Sequence, residues 1–142
     1  MKINTFEQFL NESAVRFTSN PSHAQLAADG LSLLDQIRVW HWQVTIGDLH
    51  KALGDFYDEF SGLNDTLVEA VMGKYGRFSI KGTKSQILVD YDVATFDSAI
   101  ANYESLYTND YRKLFTSDPE ICNILDEIVA EMQKLKYLST MS

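Results

Sequence analysis

The chain has 142 residues, 45% of them hydrophobic, with 20 acidic against 12 basic side chains and a formal charge of −8. That length suits one domain around a single core, and the acidic excess argues against a phosphate-binding surface, so neither nucleic acid nor an anionic membrane is an expected partner. The lone cysteine, Cys122, excludes an internal disulfide framework and a cysteine-built zinc cage, and no apolar run approaches the roughly 20 residues of a bilayer span. Met1-Lys2-Ile3-Asn4-Thr5 has no apolar h-region, so a cytoplasmic location is expected.

Taken in chain order, Thr5 with Gln8 forms a capping box, and Ile3, Phe6, Phe9 and Leu10 recur at near-helical spacing, which predicts a short amphipathic helix within an N-terminal segment of residues 1–18. Asn20-Pro21 then gives a cap followed by proline at the first helical position, and the apolar pattern predicts a helix to about Ile46. Gly47 is a natural stop and Asp48 a natural cap for a second helix to about Gly73, so these two lie antiparallel. At ~100° per residue, Leu49, Ala52, Leu53, Phe56, Phe60, Leu63, Leu67, Ala70 and Val71 share one face of it. From Gly73 to about Thr95, Gly76, Gly82 and the strand-like Gln86-Ile87-Leu88-Val89 predict an extended connection. A third helix from about Phe96 to Phe115 gathers Phe96, Ile100, Tyr103, Tyr107 and Leu114. Asp118-Pro119 opens a fourth, which buries Ile121, Leu125, Ile128, Met132 and Leu135. Short, long and short connections in that order predict an all-α fold, with residues 19–142 as one ferritin-like four-helix bundle whose long crossover joins its second and third helices.

The second helix has another face. His50, Gly54, Asp58, Ser61, Asp65 and Glu69 lie within a stripe ~100° wide, pointing away from the apolar one. An imidazole and carboxylates spaced by whole turns suit iron, manganese or zinc. The plain reading of such a stripe is a solvated helix face. His41 falls on the apolar face of the first helix beside Leu34, Ile37 and Val44, flanked by Trp40 and Trp42, where a histidine is commonly a hydrogen-bonded core residue. His41 and His50 nevertheless sit at the same end of the hairpin.

The runs Val39-Trp40-His41-Trp42-Gln43-Val44, Asp48-Leu49-His50-Lys51-Ala52-Leu53 and Asn64-Asp65-Thr66-Leu67-Val68-Glu69 resemble the first hairpin of Dps-like members of the ferritin superfamily. The resemblance implies an iron site shared between two subunits of a homo-oligomer, with His41 and His50 from one and Asp65 and Glu69 from the other. It implies Fe(II) oxidation as an activity, with iron the expected metal and other first-row divalent ions alternatives. The pattern departs at Gly54, where the family has aspartate, and in a shorter stretch between His41 and His50; Asp58, one turn on, is the candidate replacement ligand. The opening residues Met1 to Glu12 resemble those of proteins of large tailed bacteriophages, including ones packaged in the head, which would place the chain in a host cytoplasm or a virion.

The competing reading is a structural or interaction protein that keeps the bundle and the dimer without a metal, Gly54, Ser61 and Gly62 then serving close helix packing. A small-molecule enzyme built on Tyr103 and Tyr107 has less behind it, because aromatics at that spacing are usually core. DNA protection is not expected of so acidic a chain. Asp97, Glu104, Asp126, Glu127 and Glu131 read as surface, Gly73 to Arg77 as a helix terminus, and Cys122 as inert.

Overall fold

A cap and a proline set where the first helix begins. Asn20 Oδ1 accepts the backbone N–H of His23 at 3.2 Å and Pro21 takes the first helical position, so α1 spans Pro21–Gln43. The computed structural model describes Thr5 and residues 16–141, so the expected N-terminal helix and most of the 1–18 segment lie outside the described residues. Gly47 turns the chain with φ of +85°, and α2 runs Gly47–Tyr75, past the expected stop at Gly73, to Gly76 at φ of +95°. Asp92 caps α3, Val93–Ser105, through Thr95 N–H at 3.2 Å. The helix continues as a π-helical segment, Leu106–Tyr111, and a last α turn, Arg112–Leu114. Pro119 opens α4, Pro119–Ser139. Every named element among the described residues is helical, and no helix among them is long and apolar enough to cross a membrane.

Ring contacts and hydrogen bonds give the directions. Trp40 and Phe96 meet at 5.4 Å, Tyr111 donates its hydroxyl to Asp29, and His23 stacks on Phe115 at 5.2 Å, so α3 descends antiparallel to α1. Lys74 and Tyr75 at the end of α2 both donate to Asp118 at the start of α4, so α4 returns antiparallel to α2. Asp118 therefore commits its side chain to α2, and contrary to the usual habit of such a residue it makes no cap bond on α4.

The crossover returns the chain from the foot of α2 to the top of α3, and it does so along α1. Gln25 clasps Lys84 through both N–H and C=O, Ser32 accepts Gln86 N–H, Gln36 clasps Val89, and Gln43 accepts Tyr91 N–H at 2.7 Å. Trp40 Nε1 also donates to Val89 C=O at 3.1 Å. From Gln25 to Gln43 is about 27 Å of helix; Lys84 to Tyr91 spans about 23–25 Å at about 3.3–3.6 Å per residue, so the segment must run near full extension to keep pace with α1. Glutamine side chains thus supply the partners that a neighbouring strand would give in a sheet.

The core follows the expected faces with two shifts. Trp40, fully buried, rather than His41 fills the centre of α1's inner face, while Trp42 is 64% exposed. On α3 the expected Leu114 lies outside and Phe115 inside, because the wider π turn advances the inner face to Tyr107, Tyr111 and Phe115. Where α1 crosses α2, Gly30 abuts the buried Asn64: a Cβ on Gly30 would lie 2.8 Å from Asn64 Cγ and closer still to its oxygen.

Gly30→Ala should therefore cost about 1–3 kcal/mol in urea unfolding, because neither the helix backbone nor the buried amide can give way freely; an unchanged midpoint would mean the crossing is looser than this packing. At the opposite pole His23 is buried among Phe115, Tyr75 and Phe78, and burial holds its imidazole below the ordinary value of 6.5, the Asp118 carboxylate opposing in part. The fold prefers the neutral ring, so this stabilisation is complete above pH 6.5 and declines as pH falls through 6.5 towards the lowered value. Asp118 is held below its ordinary value of 3.8 by hydrogen bonds from Lys74 and Tyr75, so its own contribution is lost only as pH falls below 3.8. Stability measured against pH should fall below 6.5 in the wild type and run flatter there in His23→Phe.

Candidate functional site

The link between α1 and α2 is only residues 44–46, which brings the last turn of one against the first turn of the other. The closing carbonyls of α1 have no helical partner, and the His50 ring takes up two of them, while the His41 ring reaches across to a carbonyl of α2. His50 Nδ1 donates to Val44 O at 2.6 Å and His41 O at 3.0 Å, while His41 Nδ1 donates to His50 O at 3.0 Å. The rings stack with centroids 4.1 Å apart and planes 13° from parallel. A carbonyl can only accept, so each Nδ1 carries a proton, and the nitrogen left to serve as a ligand is Nε2.

Fixing Nδ1 on a carbonyl is how proteins orient a metal-binding imidazole. Here, however, the lone pairs lie in nearly parallel planes. A single ion at a usual metal–nitrogen distance of about 2.1 Å could not sit in both planes unless one ring turned. The pair as it stands can offer ligands to separate ions, or one ligand backed by one stacking partner.

Gly54, where the Dps-like pattern has aspartate, faces His41: a Cβ there would lie 3.1 Å from His41 Cε1. The stacked pose and a side chain at this position compete for one space. Asp58 borders a cleft of about 120 Å³ with Arg38, His41, Gly54 and Tyr57. The Arg38 guanidinium rests 4.0 Å over the Tyr57 ring, so the cleft already contains a fixed cation beside the imidazole and the carboxylate. Sequence reading passed over Arg38 and Tyr57; the one available signal was Arg38's place a turn before His41, on the same side of α1.

Asp65 and Glu69 are exposed on α2 and lie 15 and 19 residues beyond His50, about 22 and 28 Å along the helix axis. Glu69 lines a different cleft, of about 540 Å³, with Arg16, Thr18 and Arg77. Within one chain the structure therefore brings His41 and His50 together, sets Asp58 on the rim beside His41, and leaves Asp65 and Glu69 apart. Among the described residues no three histidine, cysteine, aspartate or glutamate side chains are grouped closely enough to hold one ion. The stripe from His50 to Glu69 stays on the outer face of the hairpin, with Ile46, 83% exposed, beside its histidine end.

Removing the clasp should be measurable. His50→Ala leaves Val44 C=O without its partner and should lower stability by about 1 kcal/mol or more, with the His41 ring resonances shifting as the stack is lost; an unmoved His41 spectrum would show that the rings are not stacked in solution.

Among known proteins, the model of a family described as a family of unknown function (DUF5856) matches residues 41–138, about two thirds of the chain. No curated protein and no solved structure matches it.

Proposed function

The chain belongs to the DUF5856 family, and we propose that it is a ferritin-like bundle which pairs with a second copy through the outer face of α1 and α2 and holds a first-row divalent ion, iron foremost, between the two. The observation that carries this reading is the hydrogen bonding of the two histidines, each held at Nδ1 by a backbone carbonyl, which leaves Nε2 for a ligand. The course of the chain supports the ferritin-like part: α1 and α2 antiparallel, a crossover alongside α1, then α3 and α4 antiparallel.

The spacing of the outer stripe supports the pairing. An antiparallel α2 pair that sets His50 opposite Asp65 of the partner subunit also sets Gly54 opposite Ser61 of the partner subunit, small residue against small. Glu69 then falls one turn beyond Asp65, within reach of the same ion. Asp58 lies at the two-fold axis near Arg38, whose charge offsets the approach of two carboxylates. In this arrangement His50 ligates, His41 braces it by stacking, and Fe(II) oxidation by oxygen or peroxide is the activity the site would support.

A second reading has its own observation. The His41 ring occupies the space over Gly54, and Arg38 places a positive charge where a nearby metal ion would be repelled. On that reading the histidines are a hairpin clasp, and the protein is a metal-free structural or interaction module using the same face.

Mixing decides between them. Anaerobic Fe(II) titration of the wild type should saturate, His50→Ala and Asp65→Asn should each bind nothing, and the two variants mixed should regain about a quarter of wild-type capacity, the share set by random exchange across a two-fold interface. A dimer that binds no iron in the wild type establishes the metal-free reading, and a monomer at all concentrations removes the interface itself.

A further inference from the structure

Away from the hairpin, on the far side of α1, the crossover and the π-helical segment enclose a cleft of about 390 Å³. Gln86 of the crossover forms one wall. Ala99, Asn102 and Tyr103 of α3 and Leu106 and Asp110 of the π segment form the other. The volume lies within the range of small-ligand sites. A π-helical turn is rare and recurs at functional positions, and this one contributes Leu106 and Asp110 to the cleft.

The chemistry of the walls is one-signed. Among the described residues no lysine or arginine lines the cleft, and Asp110 stands exposed at its edge. Behind Tyr103 lies the buried Asp29, which accepts the Tyr111 hydroxyl and, at 2.9 Å, the amide of Gln25. Burial, helped by the Asp29 charge, pushes the Tyr103 phenol up to about 12, so it stays a neutral hydroxyl able to donate or accept. Next to it the Tyr107 hydroxyl is fully buried and has no hydrogen-bond partner among the described residues. Tyr107 contributes no chemistry to the hairpin site.

From this cleft, its one-signed polar lining and its apolar floor at Ala99 and Leu106, we infer that the protein binds a small organic cation, a primary alkylammonium, between the crossover and the π segment. The ammonium pairs with Asp110 and hydrogen-bonds the amide oxygens of Gln86 and Asn102, while the alkyl chain covers Leu106. A bare divalent metal ion fits less well, since the cleft offers a single carboxylate to offset its two charges. The net charge of −8 steers cations towards the surface and anions away.

The test is an NMR titration of the full chain, following the Tyr103 ring resonances, with three probes of one length: n-pentylammonium, 1-pentanol and pentanoate. The ammonium should shift Tyr103 saturably, the alcohol at least tenfold more weakly, and the carboxylate not at all. Asp110→Asn, at an exposed position, should weaken the ammonium at least tenfold, while Glu127→Gln on α4 leaves it unchanged. Equal binding of ammonium and alcohol, an unaltered affinity in Asp110→Asn, or no saturable shift of Tyr103 would each overturn the assignment.

Discussion

An extended segment that packs on a helix has a problem a strand in a sheet does not: its inward N–H and C=O groups face a surface whose own backbone bonds are already closed. The crossover of this protein meets that problem with the side chains of Gln25, Ser32, Gln36 and Gln43, one face of α1 aimed at one edge of residues 84–91. Each glutamine amide carries a donor and an acceptor, so a single side chain can satisfy both groups of one residue, as Gln36 does for Val89. Much else depends on this ladder. It returns α3 to the top of the bundle and lays it antiparallel to α1. It also occupies one side of α1, which leaves the opposite, histidine-bearing side of the hairpin open.

The buried polar groups are shared between elements rather than confined to one. Gln25 donates to Lys84 C=O and to Asp29 alike, and Asp29 in turn receives Tyr111 from the π segment. Asp118 joins the end of α2 to the start of α4. The His41–His50 clasp closes the tight turn between α1 and α2. Each joint satisfies groups that burial would otherwise leave costly, and each fixes the relation of two elements that apolar packing alone leaves free to slide.

Helix positions and inward faces were largely legible because they follow from periodicity and local signals. Asn20-Pro21 and Asp118-Pro119 start helices, and the faces of α2 and α4 are read directly at 3.6-residue spacing. The end of α3 was not legible: nothing in Leu106–Tyr111 announces a π turn, and one wider turn exchanges Leu114 for Phe115 in the core. His41 was visible as an unusual residue on an inner face. Its neighbour Trp40 proved to be the core residue, a choice made by the rotation of α1 against the crossover.

The sequence by itself determined an all-helical chain with one long mid-chain connection, a histidine end and a carboxylate end on the outer stripe of α2, because each of these depends only on residue type and on spacing along a helix. Tertiary structure alone decided that the histidines stack with Nδ1 turned inward, that Gly54 is occupied by the His41 ring, and that Arg38 stands beside Asp58. Those outcomes depend on the rotation of α1 against α2 and on the length of the link between them, and spacing along one helix carries no information about how another is turned towards it.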